Sequence, residues 1–445
     1  MSARNMTTTT MKALAAAVML CVGGVAAAQG LPSGTVLIRN ATVHTAGAQG
    51  TLHNADVLVS GGVIRAVGTG LPATPDAQVV DAKGAPLTPT LFGGITETGL
   101  EEVSGEKATV DASLGLGAAT KEMSVRPEFD VTLAYNPDSV LLPVSRVEGI
   151  GWTLLGANTT EGGSIIGGLG GVVRLDGSPD PVGARVLFVS LGSRAAALTG
   201  SSRAAQWMLL DQLIDEVRGR ISPDSHAALL TPAGRATLAR YIGGGGRVMV
   251  NVQRAADIRQ LLRWSARHNV RVAIAGGAEA WMLAPELARA KVPVFVDPLA
   301  NLPASFDEIH STMENAARLK AGGVDVSFAQ GGDASHNARK VRQLAGNAVA
   351  NGLPWEDGLA GLTRVPAQAL GVGDRMGTIA PGKRADLVLW SGDPLEVSSV
   401  ALQVWLDGRA IPMRSRQTEL RDRYLRATTP AEAGGMPRAY PAQDR

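Results

Sequence analysis

Asp333 and His336 stand close together in the run Gly331-Gly332-Asp333-Ala334-Ser335-His336, a glycine-led segment able to turn a carboxylate and an imidazole towards one another. Such a pair can give and take protons near neutral pH. The same residue types also open helices, with Asp333 or Ser335 capping a helix from Asn337 onward, so both readings stand. Glu97, which ends the stretch Gly93-Gly94-Ile95-Thr96, is the second candidate. It could serve as a lone metal ligand, as a general base, or as the partner of a nearby arginine. Leu100-Glu101-Glu102-Val103 adds two acids, able to hold a hard cation only weakly because nothing in the spacing fixes a geometry. The remaining histidines read as bystanders. His44 and His53 fall in a β-rich N-terminal region, while His226, His268 and His310 fall in or beside polar helical segments, where a solvated imidazole is expected.

Two kinds of pattern must position these groups. From Gly34 onward, short β-type runs are separated by glycine turns: Val36 to Ile38, Ala55 to Val59, Val63 to Val67, and Val79 to Asp81, with Ser60-Gly61-Gly62 reading as a hairpin turn. Matching runs return at Ala385 to Trp390 and Val400 to Gly408, and each set is too small to fold alone. In between, β-type runs alternate with helical stretches. Val248 to Val250 precedes Arg254 to Arg267, Val270 to Ile274 precedes Glu279 to Ala290, and Val292 to Val296 follows. This βαβ rhythm predicts an α/β fold, a (β/α)8 TIM-like barrel over 88–377. Residues 29–87 with 378–415 are then expected to form a small composite β-sandwich, followed over 416–445 by a charged helix, Arg416 to Arg426, and a loose tail. The glycine-rich run Glu161 to Gly171 lacks the Gly-Lys-Ser/Thr ending of a phosphate loop and reads as a segment of the barrel mouth. Gly243 to Gly246 reads as a helix stop.

Particular motifs carry a family resemblance. Met376-Gly377-Thr378-Ile379-Ala380-Pro381-Gly382-Lys383-Arg384-Ala385-Asp386-Leu387-Val388-Leu389-Trp390, followed by Gly392-Asp393-Pro394, resembles the closing β-domain motif of the amidohydrolase superfamily. Val365 to Gly371 is similar to that family's last barrel helix. The likeness is to the imidazolonepropionase-like group of metal-dependent hydrolases. It implies hydrolysis of carbon–nitrogen bonds in cyclic amides or peptides, with zinc or another divalent metal held by histidines.

The same resemblance places the ligand positions on residues of other types. The family's His-x-His falls on Ile95 and Glu97, and its two later histidines fall on Asn251 and Gly276. Alternate strand residues share a face, which is why His-x-His can chelate; isoleucine and glycine side chains offer no donor. The family aspartate is kept as Asp333. No lysine lies between Lys121 and Lys291 to serve as a carboxylated bridge. The expectation is a barrel without metal or other cofactor, an inactive or binding subunit, a pseudoenzyme candidate that partners a catalytically complete relative. The alternative is an active hydrolase with a remodelled site of Glu97, Asp333 and His336.

Composition bounds the setting. The 445 residues are 45% hydrophobic and 18% charged, enough to bury a sizeable core. Residues 1–28 combine Arg4 and Lys12, an apolar run from Ala13 to Ala27 and a small-residue end before Gln29, the pattern of a cleaved signal peptide. A periplasmic or secreted protein with no membrane span after cleavage is expected. Arg4 and Lys12 are the only charged residues in that leader, so cleavage leaves 40 basic against 40 acidic side chains. That balance gives no electrostatic reason for a nucleic-acid partner. Cys21, the single cysteine, also lies in the leader, which excludes disulfides and thiol chemistry from the mature chain. The expected partners are a small-molecule ligand or substrate and a second subunit, in a homo-oligomer or with the complete relative.

Overall fold

A computed structural model of the chain describes residues 34–115 and 125–426. The leader at 1–28 and the tail from Ala427 to Arg445 lie outside the described residues. The first strands are β1 (Val36–His44), β2 (Thr51–Ser60), β3 (Val63–Gly68), β4 (Gln78–Asp81) and β5 (Pro86–Pro89). The β2–β3 hairpin turns through Gly61 and Gly62, both at positive φ, the conformation a tight two-residue turn demands. A second group follows: β6 (Leu91–Thr96), β7 (Ile150–Leu155), β8 (Ile166–Arg174), β9 (Val182–Ser190), β10 (Arg247–Val252), β11 (Arg271–Gly276), β12 (Val294–Val296) and β13 (Val326–Phe328). The chain ends with β14 (Leu387–Trp390), β15 (Ala401–Leu406), β16 (Arg409–Ala410) and the charged helix Arg416–Arg426.

The N- and C-terminal strand sets do join. β5 pairs in parallel with β1 and antiparallel with β14, Leu87 lying opposite Leu389, so one sheet runs β16-β15-β14-β5-β1-β2-β3, with β4 added at β1. Ile38, Val57, Leu87, Leu387 and Trp405 share its buried core. The Trp390 indole donates to Thr88 Oγ1 at 2.8 Å across this joint. Arg174, buried at the end of β8, ties the second sheet to the first. Its guanidinium bonds Asp386 and Asp407 at 2.9 Å each and also pairs with Asp176.

The second sheet runs β6 to β13 in order as a nearly closed eight-stranded barrel. β6 and β13 are neighbours without pairing, and a Cβ on Gly94 would stand 3.7 Å from the Phe328 carbonyl. The barrel corrects the expected eight-fold repeat, because β8 is antiparallel to both β7 and β9. The links 156–165 and 175–181 are too short for a crossover, which takes a dozen or more residues. It also corrects the reading of the glycine-rich run, most of which is not mouth loop but the wholly buried strand β8. Glycine is required there because a Cβ on Gly170 would sit 1.9 Å from the Leu155 carbonyl oxygen.

Helices pack outside the barrel where the alternation predicts them, including Ala255–His268 and Ala284–Arg289. Ala255–His268 buries Ile258, Leu261 and Trp264 against the sheet. His268 is buried with them, against the surface expectation. Its ring lies 5.2 Å from that of Trp264, and its Nε2 is 3.1 Å from Asp211 Oδ1. His310 is exposed as expected, but in a loop rather than a helix, which begins only at Asn315. No helix among the described residues is long and apolar enough to cross a membrane.

Candidate functional site

Three chain segments that leave the C-terminal ends of barrel strands meet beside β6. Beyond Thr96 the chain makes one tight turn, in which the amides of Leu100 and Glu101 donate to the Glu97 carbonyl at 2.7 and 3.0 Å. An i to i+4 bond of this kind sets residues four apart on one side, so the turn sends Glu97 and Glu101 the same way. Gly99 makes the turn possible: its φ is +82°, and a Cβ would stand 2.8 Å from the Asn136 carbonyl. Beyond β13, Asp333 adopts the left-handed conformation at φ +40° and opens the short helix Ala334–Asn337. Ser335 Oγ accepts the Glu97 amide at 3.0 Å, which fastens the two segments together.

Asp333 stands at the helix's N-cap, yet its side chain caps nothing and instead meets His336, Oδ1 to Nδ1 at 2.9 Å. Ligand atoms of Glu101, Asp333 and His336 lie within 4.8 Å of one another. Asn158, beyond β7, donates to Glu97 Oε1. Thus the structure brings Glu97, Asp333 and His336 into one neighbourhood. No arginine or lysine forms an ion pair with Glu97 among the described residues.

The electrostatics are those of crowded acids. Burial pushes the Glu97 carboxyl up to about 7, aided by its hydrogen bond with Glu101 and by the negative charges of Glu101 and Asp333, while the Asn158 amide pulls the other way. Glu101 is only 4% exposed; beyond the hydrogen bond between the two carboxyls, nothing among the described residues meets its buried Oε1. Sequence reasoning noted Glu101 only as added charge and Ser335 only as a possible helix cap, and missed Asn158 and the Ser335 contact with Glu97. The signal for Glu101 was its spacing of four from Glu97 across a glycine; Asn158 and the Ser335 contact carried none.

The other positions that the resemblance links to metal ligands behave differently. Ile95 packs against the barrel core. Asn251, exposed at the end of β10, accepts from Gln253 Nε2 at 3.4 Å. Gly276 has φ +89°, and a Cβ there would stand 2.2 Å from Gln253 Nε2, so the glutamine amide takes the room a larger side chain would need. A cleft of about 330 Å³ adjoins the acid cluster through Asn158 and is lined by Ser190, Arg194, Asn251, Gln253 and Asp307 among others.

A barrel with polar groups gathered at the C-terminal ends of its strands has the architecture of an α/β-barrel enzyme. A model of the amidohydrolase family matches residues 244–412. Amidohydrolase tasK of Hapsidospora irregularis is 45% identical over 74 residues, 17% of this chain and 8% of that protein. Imidazolonepropionase of Aromatoleum aromaticum is 41% identical over 95 residues, 21% of this chain and 23% of that protein. The chain therefore aligns with less than a quarter of either curated relative's length. The solved structure of an amidohydrolase from Thermotoga maritima superposes with a TM-score of 0.73 at 25% identity, covering 85% of this chain and 100% of that one. By this fold and these matches the chain resembles the amidohydrolase superfamily, the family model covering its C-terminal part.

Proposed function

We propose that this chain hydrolyses a carbon–nitrogen bond of a cyclic amide or peptide at a remodelled centre of Glu97, Asp333 and His336. The observation that carries this reading is the convergence of those groups, with Glu101 and Asn158, at the strand ends beside a cleft. The family's histidine-based metal site does not fit these residues, since Ile95 and Gly276 offer no donor and Asn251 only a neutral amide. The chemistry is therefore derived from the side chains alone. Glu97 removes a proton from water as it attacks the carbonyl carbon, with Asn158 holding the carboxylate in place. His336, oriented by Asp333, supplies a proton to the departing nitrogen.

The test is hydrolysis of a panel of cyclic amides and dipeptides by the mature chain, with Glu97→Gln and His336→Ala alongside. Loss of a positioned acid or base is expected to lower the rate about 100-fold or more. Undiminished turnover in both variants would sink the remodelled site. A wild-type chain that cleaves nothing favours the second reading, a binding subunit of a complete relative, which rests on the donor-less Ile95 and Gly276. Co-purification with a relative bearing His-x-His checks that reading.

The leader pattern at 1–28 supports export to the periplasm or beyond. The shared core of the terminal strands supports a composite domain, 29–87 with 378–415, folded as a sandwich against a barrel at 88–377.

A further inference from the structure

We propose that Glu101, Asp333 and His336 form a site for one divalent transition-metal ion of the zinc type, displaced from the positions the superfamily uses. Only Asp333 is common to the two sets. The inference deepens the hydrolase reading without depending on it, because ion binding is measured with no substrate present.

Three observations point to a cation. The first is placement: one ligand atom from each residue lies within 4.8 Å of the other two, the span of a shared coordination sphere. The second is Glu101 itself. Its side chain is almost fully buried, it converges with the other two ligand groups, and its Oε1 has no hydrogen-bond partner among the described residues beyond the bond it shares with the Glu97 carboxyl. A carboxylate withdrawn from water needs a proton donor or a cation; among the described residues no basic side chain forms an ion pair with Glu101, and the group that shares a hydrogen bond with it, Glu97, is itself an acid. The third is charge. Glu97, Glu101 and Asp333 come together with His336 as the single basic group paired to any of them among the described residues. Glu101, the buried acid of the three, is left beside two other carboxyls with no basic side chain of its own among the described residues, which a bound cation would balance.

The donor set narrows the ion. An imidazole with two carboxylates suits zinc and its transition-metal neighbours better than calcium or magnesium, which prefer all-oxygen shells. Three protein ligands leave a position open for water or a substrate oxygen. Glu97 stays outside the set, anchored by Asn158 and by the Ser335 contact to its amide, beside whatever occupies that open position. With His336 serving as a donor, the proton taken by Glu97 is the one returned to the leaving nitrogen.

The test is calorimetric titration of the chelator-stripped full mature chain with Zn2+ alone. One equivalent is expected to bind. Glu101→Gln and His336→Gln should each weaken it by about 100-fold or more, since even the outer partners of metal ligands are worth about 10- to 100-fold. His226→Ala, at an exposed position elsewhere, should leave it unchanged. Absence of saturable binding, or affinity that survives both ligand variants, overturns the site, as does loss in the His226 variant. Stripped Glu101→Gln should melt no lower than the stripped wild type, because it removes one of the crowded charges. If that buried variant folds poorly, His336→Gln, in the short helix Ala334–Asn337 and only half-buried, decides alone. Zn2+ binding without hydrolysis keeps the site and removes the hydrolase reading; hydrolysis without Zn2+ binding does the reverse.

Discussion

Glu97 and Glu101 show how much of the site was legible residue by residue. The spacing of Asp333 from His336 announced a possible pair, and the structure makes it a contact rather than a helix cap. Glu97 was visible as the carboxylate closing the first barrel strand, but its environment was not. Its pKa is set by burial and by acids brought from other segments, which no local pattern encodes. A carboxyl raised from its usual value to about 7 binds its proton more tightly folded than unfolded. Its contribution to stability is therefore complete below about pH 4.5 and is lost as pH rises through about 7. In chelator, Glu97→Gln should thus gain on the wild type across that window, measured by urea melts at a series of pH values. A gap that stays constant across the window would contradict the assignment.

At the scale of elements, regular βαβ units could be read wherever aliphatic runs alternated with helical periodicity, as in β10 to β12. The exception is β8, whose glycines carry little intrinsic strand preference. They are there because neighbouring strands approach too closely for side chains, and that is a property of the assembled sheet. Gly170→Ala should therefore be severe, since its new atom meets backbone rather than a movable side chain. Overpacking of this kind costs about 1–3 kcal/mol or more, read from the denaturant midpoint. An unchanged midpoint would mean the strand pairing is wrong. Gly50→Ala offers a comparison, since nothing stands within 4 Å of its added atom and only its positive φ opposes the change.

For the whole molecule, the decisive contact is Arg174, where the barrel meets the composite sheet. Arg174→Ala leaves the buried Asp386 with only its longer, 3.8 Å pair to Arg384 and should cost about 3 kcal/mol in urea unfolding, towards the low end for breaking a buried pair. The exposed pair of Arg220 with Asp215 gives the contrast, with Arg220→Ala expected to cost no more than about 1 kcal/mol. Equal losses would show that the joint carries no special weight.

The chain's own residue order was enough for the hairpin at Gly61-Gly62, the alternating barrel segments, the family-like C-terminal strand and the absence of donors at Ile95 and Gly276. Each is a local matter of turn conformation, periodicity or side-chain chemistry. Only the tertiary structure decided that β5 joins β14, that glycine-rich β8 is a core strand, and that Glu101 swings back beneath Asp333 and His336. Those outcomes depend on which distant backbones can approach, and on which buried charges must then face one another.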